Sequence, residues 1–167
     1  KNPEWVGRDR FFLDPGHMAP MLYSQLTLIG KFTLDELAQL RQWGSPTTGH
    51  PEFEIARGIE NTSGPLGQGH VFAVGAAIAA KFLAAQTGNP TFDKETIYAY
   101  ISDGGIQEEI SQGAARIASV LGLDNLIMFY DCNDIQLSTE TKEVMNEDTA
   151  AKYRALGWEV FEINGND

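Results

Sequence analysis

The chain has 167 residues, of which 43% are hydrophobic and 21% charged, a composition typical of a globular domain. Its 23 acidic and 12 basic residues give a net charge of −11, which argues against nucleic acid or an anionic membrane surface as a partner. The negative charge does not exclude a phosphorylated small molecule as a ligand, because a metal ion and backbone N–H groups can hold it. No apolar run approaches the roughly 18–20 residues that are needed to cross a bilayer.

The cysteine content predicts a location for the protein, and the ends of the sequence predict a longer parent chain. Cys132 is the single cysteine, so no internal disulfide can form, which favours a cytoplasmic location. We expect residues 1–167 to form a single domain segment. We also expect the parent chain to be longer at both ends, because the sequence opens in mid-domain and stops just after a strand-like segment.

The first half of the chain is predicted to contain helices and loops. Apolar residues over 20–28 predict a helix. Thr33 is the predicted N-cap of a second helix over 34–43, and Glu36 would complete a capping box with it.

A long loop and an apolar helix follow. Residues 44–69 contain three prolines and six glycines, which predicts a structured loop region of a length that is usually functional. Residues 71–85 are small and apolar nearly all round, which predicts a buried helix.

The second half alternates between strands and helices, which predicts an α/β fold with a parallel sheet flanked by helices. The predicted strands span 96–101, 125–131 and 158–163, and the predicted helices span 107–121 and 147–156. The second of these strands is apolar without polar alternation, so we expect it to be buried on both faces.

Polar clusters follow the first two of these strands, at 102–105 and 131–135. Ligands bind beyond the carboxyl ends of strands in open parallel sheets, so Asp103 and Asn133 are expected to project into one crevice. A carboxylate and an amide oxygen suit Mg²⁺, and Gly104 would let the backbone approach a diphosphate. The alternative is that each cluster is only a turn.

The spacing of these residues resembles the thiamine diphosphate fingerprint, in which Gly-Asp-Gly is followed by Asn. Here Asp103 and Gly104 are followed by 28 intervening residues and then Asn133. The resemblance implies that the Asp103 and Asn133 side chains and the Ile135 carbonyl bind Mg²⁺. It also implies that Asp103, Gly104 and Asn133 contribute to binding of the cofactor.

Three further segments resemble the transketolase family and occur in its order, at 14–17, 48–52 and 64–69. The resemblance implies that His17 reaches the cofactor diphosphate, and that His50 meets the sugar substrate as a binding or acid–base group. It also implies that Gly64 and Leu66 pack against the cofactor ring. Without the resemblance, either histidine could equally be an ordinary loop residue.

The family resemblance also implies an activity and partners. The fold would be the thiamine diphosphate-binding fold, and the reaction the transfer of a two-carbon ketol unit between sugar phosphates in the pentose phosphate pathway. The implied cofactors are thiamine diphosphate and Mg²⁺. Glu108 is placed at a dimer interface, either in a homodimer or against a paired pyrimidine-binding domain or subunit. Because that second domain is missing, we expect the segment alone to be inactive.

Other interpretations stay open at this point. Dihydroxyacetone synthase shares the chemistry, whereas deoxyxylulose phosphate synthase matches the segments at 48–52 and 64–69 less well. A non-catalytic α/β domain could instead serve assembly, or bind another phosphorylated ligand through Mg²⁺. Ser102 replaces the first glycine of the fingerprint, which favours that rival, and Cys132 replaces its usual Asn or Asp. No role is assigned to His70.

Overall fold

A computed structural model of the protein describes residues 2–165. Its centre is a three-stranded parallel sheet in the order β1-β2-β3, formed by Arg10–Leu13, Ile97–Ser102 and Leu126–Asp131. Arg10 lies opposite Ile97, and Ile97 lies opposite Leu126, so the three strands begin in register. Their carboxyl ends therefore meet at the same edge of the sheet. The predicted α/β class, with a parallel sheet flanked by helices, is confirmed.

Within residues 2–165, seven helices and a small hairpin accompany this sheet. The helices are α1 Ala19–Leu28, α2 Leu34–Ala38, α3 Gln68–Thr87, α4 Pro90–Asp93, α5 Asp103–Gln107, α6 Glu109–Leu121 and α7 Thr149–Ala155. The hairpin pairs β4 Ile135–Gln136 with β5 Thr139–Glu140 in antiparallel orientation. Single 3₁₀ turns occur at Gly16–Met18, Ile55–Arg57 and Thr141–Glu143.

Small side chains let two helices pack closely on one face of the sheet. Ala73 and Ala77 of α3 are fully buried in a cluster with Ile97 and Ala99 of β2. Ala118 of α6 completes this layer from the neighbouring helix. These small side chains allow the close approach of helix and strand backbones that native packing density requires.

A second core lies between β1 and α1. Leu22, Tyr23 and Leu26 of α1 are buried together with Leu13 of β1. Phe32 packs edge-on against Tyr23 with ring centroids 5.2 Å apart. This packing holds the chain that leaves β1 at the carboxyl edge of the sheet.

Helix α3 is less buried than the sequence predicts. Its alanine face is buried, but Phe72, Ile78 and Phe82 are exposed, so the helix is not buried all round. It also has 20 residues and contains an 18-residue window with a mean hydropathy of 1.3, so by length and composition alone it could cross a membrane. The expectation that no apolar run reaches that length is therefore wrong. The same composition is found in helices that cover a sheet, as α3 does here through Ala73 and Ala77.

The start of α2 agrees with the prediction, whereas its end does not. Thr33 accepts a 3.1 Å hydrogen bond from the Glu36 N–H, and Glu36 accepts one of 2.8 Å from the Thr33 N–H, which confirms the capping box. However, α2 ends at Ala38 instead of residue 43, since the chain turns and Arg41 has a left-handed backbone with φ of 64°.

In the second half of the chain, one predicted helix begins two residues later than expected and one predicted strand is wrong. The helix expected over 107–121 corresponds to α6, which begins at Glu109 because Glu108 has an extended backbone with ψ of 130° that separates it from the short helix α5. Residues 158–163 form no strand in the described part of the chain, because they pair with no neighbouring strand there.

The expectation that β3 is buried on both faces is also wrong. Ile127 and Phe129 project on a face that no helix of residues 2–165 covers fully, and both side chains are nearly half exposed. The apolar sequence of β3 predicted burial on both faces, but the described residues cover one of them incompletely.

Candidate metal and diphosphate site

The ends of β2 and β3 bring Asp103 close to Asn133, as the sequence predicted. Asp103 follows β2 directly, is the first residue of α5 and is 2% exposed. The backbone N–H of Asn133 donates to Asp103 Oδ2 at 3.4 Å. A buried carboxylate is therefore linked to the loop that follows the neighbouring strand.

Tyr130 provides the second contact to this carboxylate. Its hydroxyl donates a hydrogen bond to Asp103 Oδ1. Burial raises the pKa of Tyr130, and hydrogen bonds with Asp103 and Cys132 raise it further. The hydroxyl therefore stays protonated near neutral pH and acts as a donor to Asp103. Sequence reasoning missed Tyr130, because in a strand its hydroxyl looks like any other half-buried tyrosine.

Asn133 shapes the turn that leads from β3 into the hairpin. Its Oδ1 accepts a 3.1 Å hydrogen bond from the N–H of Ile135, and its Nδ2 donates to Asp131 Oδ2 at 3.4 Å. Asp134 has a left-handed backbone with φ of 62° within this turn. The amide is exposed, so its oxygen can exchange this local bond for a ligand.

The donor atoms at the ends of β2 and β3 fit Mg²⁺ by their chemistry. Asp103 supplies a carboxylate, Asn133 an amide oxygen and Ile135 a backbone carbonyl, all hard oxygen donors. Within residues 2–165 there is no group of three or more His, Cys, Asp or Glu side chains that could hold a metal. A set with one carboxylate leaves coordination positions for phosphate oxygens and water, as Mg²⁺ prefers.

The glycine-rich loop lies against the start of α5. A Cβ atom added to Gly104 would be 2.9 Å from Leu66 Cδ1, so the leucine rests on this glycine. Gly104 and Gly105 belong to α5 itself, whereas the sequence placed them before a helix that starts at Gln107. Leu66 and Asp103 therefore border the same corner of the sheet edge.

Asp14 anchors this loop, although the sequence alone indicates no individual role for it. Its carboxylate is 1% exposed, and its two oxygens accept hydrogen bonds from the N–H groups of Gly67 at 3.0 Å and Gly69 at 2.8 Å. Burial raises the pKa of Asp14, while these backbone hydrogen bonds oppose the rise and the nearby Glu108 charge adds to it. The carboxylate thus caps the start of α3 and fixes the loop before it.

The two histidines singled out by sequence lie on the same side of the molecule. His17 is exposed in the 3₁₀ turn that follows β1. The ring of His50 is also exposed and covers Gly16, where an added Cβ would be 2.1 Å from His50 Cδ2. The same ring atom is 3.5 Å from the corresponding position at Gly64. The three predicted loops therefore converge.

Glu108 occupies the break between α5 and α6. It is exposed, and its Cβ lies 2.7 Å from where a Cβ of Gly67 would be. The glutamate thus borders the glycine loop at Gly67, the residue whose N–H also donates to Asp14. The structure describes one chain, so the predicted dimer interface at Glu108 stays a prediction.

His70 lies directly behind the loop and takes no part in its exposed surface. Its ring is fully buried, and Nδ1 is 2.8 Å from Ser111 Oγ of α6. Burial lowers the pKa of His70 to about 4, so the ring is neutral at pH 7. Its edge packs against Trp158, with ring centroids 6.2 Å apart. The histidine joins α3 to α6.

These features define a class of protein. Oxygen donors at the ends of adjacent parallel strands, a glycine loop beside them and two exposed histidines suit an α/β domain that binds a phosphorylated ligand with a divalent cation.

Comparison with known proteins identifies the family. The model of the family described as "Transketolase, thiamine diphosphate binding domain" matches residues 1–167, and the chain belongs to this family. The transketolase of Mycobacterium leprae is 46% identical over 170 residues, which cover 98% of this chain and 24% of that protein. The predicted relation to transketolases is confirmed.

Solved structures agree with this assignment. A transketolase from Campylobacter jejuni superposes with a TM-score of 0.92 at 41% identity, covering 100% of this chain and 26% of that one. A Pichia stipitis transketolase in complex with sedoheptulose 7-phosphate gives a TM-score of 0.91 at 40% identity, covering 96% and 24%. The chain spans about a quarter of the length of these relatives.

Proposed function

We propose that this chain is the diphosphate- and Mg²⁺-binding part of a transketolase that transfers a two-carbon ketol unit between sugar phosphates. The observation that carries the proposal is the buried carboxylate of Asp103, which is joined to the loop of Asn133 at the carboxyl edge of the sheet. Family membership supports thiamine diphosphate as the cofactor.

The metal would be held by oxygen atoms from one corner of the sheet edge. Asp103 and Asn133 supply side-chain oxygens and Ile135 supplies a backbone carbonyl, a donor set suited to Mg²⁺. The low exposure of Asp103 favours a cation at this site, because a nearby positive charge stabilises a buried carboxylate. Gly104 lies beside this carboxylate, where the backbone can approach a diphosphate.

Bound thiamine diphosphate supplies the nucleophilic carbanion for the reaction. The residues of this chain then bind and orient. His17 would donate a hydrogen bond to a diphosphate oxygen, and His50 would bind a sugar hydroxyl or move a proton at it. Gly64 and Leu66 would pack against the cofactor ring. Support comes from the convergence of His50, Gly64 and Leu66 around Gly16 and Gly104.

Partners and setting follow from the proposed activity. Sugar phosphates are the proposed substrates, in line with the sedoheptulose 7-phosphate complex of the Pichia stipitis relative. A pyrimidine-binding domain, in a homodimer or a paired subunit, would complete the site, with Glu108 at the interface. We place the enzyme in the cytoplasm and the pentose phosphate pathway. Residues 1–167 alone are proposed to be inactive, and ketol transfer by them would contradict this.

Calorimetric titration of thiamine diphosphate into the complete parent protein tests the proposed function. We expect binding that needs Mg²⁺, disappears with chelator and is abolished by Asp103→Ala. Asp35→Ala is the matched control, because Asp35 is exposed in the first turn of α2. Binding that ignores Mg²⁺, or survives in Asp103→Ala, would contradict the proposed metal site, and absence of binding by the wild-type parent would favour a non-catalytic domain.

A further inference from the structure

Tyr130 stands out because its hydroxyl contacts an oxygen of a residue proposed to bind the metal. The residue is the fifth of β3 and lies opposite Ile101 of β2, two positions before Asp103. From there its hydroxyl donates to Asp103 Oδ1 across the two strand ends. Tyr130 itself supplies no ligand in the proposed donor set.

The ring of Tyr130 is held in place by the core below the site. It packs against a cluster that contains Ile101, Ile106 and Ala115. A ring fixed by packing gives its hydroxyl a fixed position, and the hydroxyl in turn fixes the plane of the Asp103 carboxylate. The only other hydrogen bond to this carboxylate among residues 2–165 is the long one, 3.4 Å, from the Asn133 N–H.

We propose that Tyr130 is a positioning residue that orients the Asp103 carboxylate for the divalent cation. This inference rests on the proposed function and deepens it. A hydrogen bond to an ionised carboxylate is stronger than one between neutral groups, and it restrains rotation of the carboxylate. Partners of this kind typically change metal affinity about 10–100-fold when they are removed.

Position along the strands distinguishes Tyr130 from its aromatic neighbours. Tyr100 of β2 stacks on Phe129 with ring centroids 6.5 Å apart, and its hydroxyl has no hydrogen-bond partner within residues 2–165. Tyr100→Phe therefore removes a hydroxyl from the same sheet without touching Asp103. It is the matched control for Tyr130→Phe.

The test measures how much Mg²⁺ is needed for thiamine diphosphate binding by the complete parent protein. Calorimetric titrations at a series of Mg²⁺ concentrations would compare wild type, Tyr130→Phe, Tyr100→Phe and Asp103→Ala. For Tyr130→Phe we expect the half-saturating Mg²⁺ concentration to rise about 10–100-fold, with binding restored at high Mg²⁺. Tyr100→Phe should match wild type.

Other results would overturn the inference. An unchanged Mg²⁺ requirement in Tyr130→Phe would show that the hydroxyl does not position Asp103. A loss that high Mg²⁺ does not restore, accompanied by a lower melting temperature, would assign Tyr130 to packing alone. If Asp103→Ala binds normally, the proposed function fails as well, whereas loss in Asp103→Ala with wild-type behaviour in Tyr130→Phe overturns only the inference.

Discussion

The carboxylate of Asp14 accepts a 3.0 Å hydrogen bond from the backbone N–H of Gly67, although 53 residues separate the two in sequence. This contact joins the end of β1 to the loop that we propose to pack against the cofactor. The second carboxylate oxygen binds the Gly69 N–H, so the loop is fixed at two points.

Removal of the Asp14 carboxylate should destabilise the domain. In Asp14→Ala the buried N–H groups of Gly67 and Gly69 lose their acceptors, and each unsatisfied group costs roughly 1–3 kcal/mol. Chemical unfolding of the complete protein should therefore show a loss of several kcal/mol. Asp9→Ala is the control, since Asp9 accepts only an exposed 3.0 Å bond from the Thr96 N–H and should cost under about 1 kcal/mol. Equal losses in both variants would contradict the anchoring role.

Two glycine substitutions should have opposite effects. In Gly105→Ala the new methyl group would lie 2.2 Å from Asp14 Oδ2 and 2.8 Å from Ile101 Cγ1, so the carboxylate must move. In Gly113→Ala, within α6, nothing lies within 4 Å of the added methyl group.

We expect Gly105→Ala to lower the melting temperature clearly, and Gly113→Ala to raise stability by about 0.5–1 kcal/mol through helix propensity. Thermal unfolding of both variants checks the pair. A Gly105→Ala variant as stable as wild type would show that the space above Asp14 is less constrained than the structure indicates.

The buried ring of His70 should make stability fall in mild acid. Its pKa is lowered to about 4 by burial, against 6.5 for an unperturbed histidine. The unfolded chain therefore binds a proton as the pH falls below 6.5 while the folded chain stays neutral. The stability that His70 contributes is complete above pH 6.5 and decreases toward pH 4, by about 3 kcal/mol in total.

A comparison of variants isolates this effect. Asp14 acts in the opposite direction, because its raised pKa lets the folded state take up a proton before the unfolded state does. His70→Gln should flatten the decline in unfolding free energy between pH 6.5 and 4.5, whereas His17→Gln at an exposed position should leave it unchanged. An equally steep decline in His70→Gln would assign it to other groups.

The parts of the site that sequence predicted depend on local patterns. Asp103 directly follows β2 and Asn133 lies two residues beyond the end of β3. Because parallel strands end at a common edge, their proximity could be inferred from the spacing alone. Thr33 and Glu36 form the expected capping box for the same reason, since all its contacts lie within one helical turn.

The parts that sequence missed depend on contacts between distant segments. The sequence around Asp14 does not show that its carboxylate oxygens accept hydrogen bonds from the N–H groups of Gly67 and Gly69, 53 and 55 residues later. The break at Glu108 arises where the chain passes Gly67, which helix propensity does not register. The partial exposure of α3 likewise depends on which elements cover it, whereas composition alone predicted a buried helix.

Diffraction from crystals of the complete protein grown with thiamine diphosphate and Mn²⁺ would test the proposed metal site most directly. Mn²⁺ accepts the same oxygen donors as Mg²⁺ and can be located by its anomalous signal. We predict one peak per site within about 2.3 Å of the Asp103 carboxylate, the Asn133 amide oxygen and the Ile135 carbonyl. A peak bound by other residues, or cofactor bound with no metal at these three atoms, would contradict the proposed site.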